Sequence, residues 1–408
     1  MRVVVIGGGA AGFFAALSVR VHHPGAEIVL LERSDKLLAK VRISGGGRCN
    51  VTHHCLEPRK LAAHYPRGER FLRRSFELFS VKDTVAWFAA HSVSLKVEAD
   101  GRMFPVTDDS ATIADLLLQR AKEARILIEL HTHVKALVPL PEGGFRIDRV
   151  GGTALAADRV IVATGGHPKR SGYDWLEPTG HTLVTPVPSL FTFNMPGDPV
   201  RELMGVVAPA VRARVVGSDL ETVGPLLITH WGMSGPAILR LSAWGARQIS
   251  ETDYRFTLQL NWLGGASEEH TRAALELART EQGRKLVQNL TLFPLPKRLW
   301  CFLLNKAGIP LDRVLGQVNK KERNRLVDLL TNDRYAVSGR TTFKEEFVTA
   351  GGIDLGEVDP LTMQSLKVPG LFLAGEVLDI DGITGGFNFQ AAWTTGFLAG
   401  KLAATVKE

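Results

Sequence analysis

The spacing of apolar residues along this chain changes several times, and each change marks a different kind of element. Residues 3–6 form an unbroken apolar run, and a glycine turn follows. In residues 13–21 the apolar positions recur every three to four residues. A second apolar run, 27–31, ends at Glu32. Short continuous runs predict strands covered on both faces, and the longer spacing predicts a helix between them. Helical spacing returns over 70–91 and 110–124. The pattern then shortens to strands at 126–130, 134–140, 145–149 and 159–163. A strand-rich section runs from about 188 to 261, interrupted by a helix-like stretch at 236–248. Residues 268–330 read as helical. Beyond 343, glycine turns separate short strands, 371–374 reads as a buried strand, and a last helix is predicted over 387–406. A late strand, glycine turn and long helix complete a sheet begun at the N-terminus. One nucleotide domain built from both chain ends, with the middle inserted, is therefore expected.

The first glycine turn gives that domain its chemistry. Gly7, Gly9 and Gly12 have the G-x-G-x-x-G spacing between a strand and a helix, and Glu32 ends the next strand. This is the layout of a dinucleotide-binding βαβ unit. Gly7 permits the tight turn, Gly9 lets backbone approach a pyrophosphate, and Gly12 lets helix and strand pack closely. The helix N-terminus offers unpaired N–H groups to the anion, and Glu32 is placed to accept from a ribose.

Composition narrows the class. The residues are 45% hydrophobic with 41 glycines, which suits an α/β enzyme. The three cysteines, Cys49, Cys55 and Cys301, make no C-x-x-C pair, so a disulfide framework or zinc site is not expected and a reducing, cytoplasmic setting is. The apolar start lacks a basic leader and is not read as a signal peptide, and no apolar stretch is long enough to span a membrane. The net charge of +7 is unevenly spread. Residues 279–325 hold eleven Lys and Arg against three acids. Residues 59–82 hold seven against two. Such fields attract polyanions or simply keep a surface solvated.

Four further segments carry candidate chemistry. Ser44-Gly45-Gly46-Gly47-Arg48-Cys49-Asn50 exposes backbone N–H groups for a flat ligand or phosphate. Arg48 would face a phosphate or ring edge. Cys49 is either a proton donor or a small buried residue. In the second segment, Gly375-Glu376 ends a strand and suits a ribose or ribityl contact, while Gly385-Gly386 open the last helix, whose dipole would stabilise negative charge. Asn388 and Gln390 there are caps or ring contacts. The third holds His230 and Trp231 beside a glycine turn, as a pocket wall or a structural contact. The fourth, 101–105, places Arg102 before an aromatic residue and a proline, at a cleft border or a turn. No nucleophile elbow, H-E-x-x-H, phosphate-binding G-x-x-x-x-G-K-[ST] or second G-x-G-x-x-G occurs. One resident dinucleotide is expected, with any NAD(P)H binding transiently.

Taken together, these segments and Ala163-Thr164-Gly165-Gly166 resemble the BaiN/RdsA-type NAD(P)/FAD-dependent oxidoreductases, from residue 2 to about 405. The resemblance implies an α/β architecture: a Rossmann-like FAD-binding domain with an inserted β-rich domain and a small helical domain. The expected boundaries are 1–188 with 345–408, 189–265 with 331–344, and 266–330. It implies FAD contacts from Gly7, Gly9, Ala11, Gly12, Glu32, Arg33, Lys40, Ser44, Gly46, Gly47, Arg48, Cys49, Val134, Thr164 and Gly165. From the C-terminal part it adds Gly375, Glu376, Asp381, Gly385, Gly386, Phe387 and Asn388. Cys49 and His230 are the catalytic candidates, and Lys320, Lys321 and Arg323 the RNA-binding ones.

Family activities differ in substrate. They include reduction of a uracil in large-subunit ribosomal RNA to dihydrouridine, reduction of an enone, and oxidation of a small amine. The basic stretch favours ribosomal RNA or its precursor over a neutral small molecule, without membrane association. A flavin-bearing RNA- or ribosome-associated protein with incidental redox activity is the non-enzymatic alternative.

Overall fold

Five short apolar runs pair into one parallel sheet, in the order Leu371–Leu373, Arg159–Val162, Arg2–Ile6, Glu27–Leu31, Leu127–Glu129. The computed structural model describes residues 1–341 and 348–403. Successive strand residues point to opposite faces. Val3, Val4 and Val5 are all fully buried, so both faces are covered, which is why the run is continuous rather than alternating. The two ends of the chain meet in this sheet, because Leu371–Leu373 pairs with Arg159–Val162.

The helix Ala10–His22 is buried from Ala11 through Val19, on every side. It packs on the last helix, Phe387–Gly400. A Cβ added to Gly396 would lie 2.4 Å from the Ala11 carbonyl oxygen, so the two backbones touch. Phe14 sits 4.6 Å, centroid to centroid, from both Trp87 and Trp393, which locks the start of the first helix against the last.

Contacts divide the chain into two units, Met1–Ser189 with Phe343–Glu408, and Leu190–Thr342. The first also holds small antiparallel sheets, Thr52–His53 with Arg102–Pro105 and Leu95–Val97, and Val134–Pro139 with Phe145–Arg149 and Leu155–Ala157. The second holds a mixed-length antiparallel sheet whose strand Val207–Val215 buries roughly every second residue. Helices Glu268–Gln282, Lys297–Ala307 and Lys320–Asn332 share its core, in which Leu258 and Trp262 of the sheet segment join Leu303 and Leu326 of the helices.

Two expected helices are each broken in two. Residues 70–91 form Glu69–Phe76 and Val81–Ala90. Ser80 starts the second helix through a reciprocal capping box with Asp83, which satisfies the N–H groups a continuous helix would have paired. The 236–248 stretch divides at Gly245 into Pro236–Trp244 and Ala246–Glu251. The last helix ends at Gly400 rather than 406. Its expected final residues, 404–406, and the expected boundary at 344–345 lie outside the described residues.

Candidate flavin site

The first glycine turn lies at the carboxyl ends of the parallel strands, where open α/β sheets bind ligands. Gly7 has φ +117°, and a Cβ there would lie 2.4 Å from the Ala163 carbonyl oxygen. At Gly12 a Cβ would lie 1.9 Å from the Gly7 carbonyl oxygen. Only glycine fits at either. Gly9 is different, since no protein atom comes within 4 Å of a Cβ built on it. The same holds at Gly46, Gly47 and Gly165. These four border open space, so a ligand can approach the bare backbone there. The helix behind Gly9 has no acid in its first turn and no side-chain cap, which leaves its N–H groups for an anion. The residues therefore fit a dinucleotide.

Neighbouring turns close on this one. Glu32 accepts from the Gly8 N–H at 2.8 Å, and from the N–H and hydroxyl of Ser34. Gly375 donates its N–H to Thr395 and would touch Ala11 through a Cβ. Lys40 Nζ lies 2.6 Å from Glu376 Oε2, tying the loop after the second strand to the turn after the last. Thr164 and Arg33 are exposed, and Val134 is buried at the start of its strand.

The Ser44–Asn50 segment follows a short helical stretch that Ser44, Gly45 and Gly46 leave. Arg48 is partly exposed and is held by protein partners. Its guanidinium pairs with Glu98 at 2.6 Å and Asp108 at 3.5 Å, and stands 4.0 Å over the Phe104 ring. Arg102 pairs with the same Glu98, so the first and fourth candidate segments form one structural cluster. Cys49 is fully buried, and burial pushes its thiol up to about 12. The structure thus gives Cys49 the environment of a packed residue, not of a group that releases a proton near neutrality.

The C-terminal segment is braced from residues 64–67. Asp381 accepts from both the Nε and a terminal nitrogen of Arg67, and from Ser189 at 2.6 Å. Burial raises its carboxyl above the ordinary value, with Arg67 acting against the rise. The Asp381 oxygens are engaged by protein, so this expected cofactor residue holds the loop. Asn388 does not cap the helix: its amide accepts from the Gly382 N–H and donates to the Gly382 carbonyl. Gln390 is buried among Thr52, Thr84 and Thr394. Gly386 is the N-cap of the last helix, again without an acid or side-chain cap. Phe387 stacks on His53 at 4.7 Å and His64 at 4.3 Å, and its carbonyl accepts from Tyr65. Sequence reasoning missed these two histidines. No motif marks them, because the ring that joins them is more than 300 residues away.

In the second unit, His230 and Trp231 are exposed on the turn between Glu221–Ile228 and Gly232–Ser234. The His230 carbonyl accepts from Arg201 at 2.7 Å. Lys320 and Lys321 are exposed in the first turn of their helix. Arg323 is not. Its side chain is 12% exposed, pairs with Glu276 at 2.8 Å and donates to the Val318 carbonyl. It joins two helices, and an RNA role for it is corrected accordingly. Arg325, one turn beyond Lys321, is exposed and forms no ion pair among the described residues.

Comparison with known proteins agrees with this geometry. The model of the HI0933-like protein Rossmann domain matches residues 1–402. A 3-dehydro-bile acid delta(4,6)-reductase of Clostridium scindens is 29% identical over 411 residues, 99% of each chain. A ribosomal RNA dihydrouridine synthase of Escherichia coli is 30% identical, over 96% of this chain and 95% of that one. Among solved structures, the 3-ketosteroid delta1-dehydrogenase of Sterolibacterium denitrificans has a TM-score of 0.52 at 13% identity, over 98% of each chain, a likeness of fold. The chain belongs to the HI0933-like family of FAD-binding Rossmann proteins and is a flavin-dependent oxidoreductase.

Proposed function

We propose that NAD(P)H reduces a tightly bound FAD in this protein, and that the enzyme then saturates a C=C bond of a uridine in large-subunit (23S) ribosomal RNA, giving dihydrouridine. The observation that carries the RNA substrate is the cluster Lys320, Lys321 and Arg325. The first two sit at a helix N-terminus, where the helix dipole disfavours cations. The Asn319–Glu322 capping box already completes that helix end, so its stability does not call for them. A phosphate backbone does.

Bound FAD supplies the hydride chemistry. The chain supplies the rest. Gly9 and the first helix N-terminus would hold the pyrophosphate, Glu32 and Glu376 would use their remaining acceptor capacity on hydroxyl groups, and the last helix N-terminus at Gly386 would favour negative charge on the ring. A target base held in folded RNA must be unstacked to reach the ring. Fully buried Cys49 is a poor source of the proton that completes saturation.

Mass analysis of ribosomal RNA from cells with and without the gene tests this reading. One uridine should lose the added mass of two hydrogens when the gene is absent. An unchanged RNA would remove the RNA reading and favour a small-molecule substrate, for which the 29% identity to the bile-acid reductase is the support. An enone reductase or an amine oxidase would then be the activity to assay.

A further inference from the structure

Between the helices Glu268–Gln282 and Lys297–Ala307 runs a segment unlike an ordinary surface loop. Residues 286–296 are eleven in a row without a charge, and include Leu290, Leu292, Phe293 and Leu295. Arg284-Lys285 precede this run and Lys297-Arg298 follow it. The segment is anchored rather than loose. Val287 donates its N–H to the Arg313 carbonyl at 2.9 Å, and Leu315 donates back to the Lys285 carbonyl at 3.0 Å. The Trp300 indole N–H donates to the Val287 carbonyl at 2.8 Å.

A cavity of about 200 Å³ opens in this anchored segment, lined in part by Gln288, Asn289, Leu292, Phe293, Lys297 and Trp300. That is small beside pockets for drug-sized ligands. The Phe293 and Trp300 rings lie 6.2 Å apart at 56° and form aromatic walls. Two amides offer donors and acceptors, and a cation stands at the rim. Arg284 and Lys297 are exposed and form no ion pair among the described residues. Arg298 donates to the Glu202 carbonyl and leaves its neighbour Lys297 as the outward charge.

We infer that this cavity takes one nucleobase splayed from a single-stranded stretch of RNA, with Arg284 and Lys297 on the flanking phosphates. Single-stranded RNA is recognised by stacking an unstacked base on aromatic side chains and pairing its edge with polar groups. A charged backbone on either side requires cations that bracket an uncharged slot, which is the order found along 284–298. No residue of the flavin segments lines this cavity, so it serves to dock RNA and not to reduce it. This inference rests on the RNA reading of the function.

The test measures binding of the flavin-loaded protein to a fluorescent single-stranded oligouridine and to an abasic oligomer of the same length and charge. The wild type should prefer the oligouridine by roughly tenfold, the scale of one base stacked on an aromatic ring. Asn289→Phe, which places a ring in the cavity, should bring the two affinities together. Phe293→Leu should do the same while keeping the wall apolar. Neither should change binding of the abasic oligomer or flavin content. Arg284→Glu with Lys297→Glu should weaken both oligomers alike. Equal wild-type affinity for the two oligomers, or a preference that survives Asn289→Phe, overturns the base slot and leaves the RNA reading standing. A wild type that binds neither oligomer overturns the RNA reading and the slot together.

Discussion

Gly9 and Gly12 lie three residues apart on one turn and answer to different constraints. A side chain at Gly12 would strike the Gly7 carbonyl, whereas one at Gly9 would enter open space. Gly12→Val should therefore fail to fold, and Gly9→Val should fold and lose its colour because the valine occupies the place of the pyrophosphate. Thermal melting and flavin absorbance of the purified variants separate the two; a yellow Gly9→Val would move the pyrophosphate elsewhere. Cys49→Ala should keep the substrate-reduction rate, since the thiol is buried and raised to about 12. A loss of roughly a hundredfold in single-turnover reduction would restore it as a general acid. The Gly12 constraint was legible because it is local, set by the Gly7 carbonyl within the same turn. The protein partners of Arg48 and Arg323 were not legible because they are distant. Glu98 lies 50 residues from Arg48 and Glu276 lies 47 from Arg323, and spacing within a motif carries no trace of either.

At the scale of elements, the loop before the last helix is the part most dependent on long-range support. Asp381 reaches Arg67 and Ser189, Tyr65 reaches the Phe387 carbonyl, and the Ile383 N–H reaches the His64 carbonyl. Asp381→Asn removes the counter-charge of a nearly buried guanidinium, a change that costs about 3–5 kcal/mol in comparable pairs. The variant should melt several degrees lower and release flavin faster on dilution. Unchanged melting and retention would show that the pair does not hold the loop. Elements themselves were readable where period and burial agreed, as in the parallel strands. They were misjudged where a cap interrupted a continuous period. Ser80 and Asp83 have capping-box spacing, but the apolar pattern runs through them, and only the structure shows the cap taking precedence.

Over the whole molecule, the basic excess was legible as a sum but not as a surface. Within 279–325, Arg279, Lys306, Arg313 and Arg323 are each paired with an acid, while Lys320, Lys321 and Arg325 are left exposed. Reversing those three to Glu should weaken binding of unmodified ribosomal RNA more than tenfold at low salt and flatten its salt dependence, because each phosphate contact releases counterions. Flavin content should stay at the wild-type level. Salt titrations of wild type and variant check this, and equal slopes would make the cluster a solvated face. The central claim, that the reduced flavin of this protein is discharged by a uridine of ribosomal RNA, is tested most directly by following flavin absorbance. The protein is reduced anaerobically with NAD(P)H, freed of excess reductant, and mixed with unmodified large-subunit ribosomal RNA. The account predicts that the yellow absorbance returns as dihydrouridine forms in equal amount. A flavin that stays bleached with RNA and is reoxidised by an enone instead would contradict it.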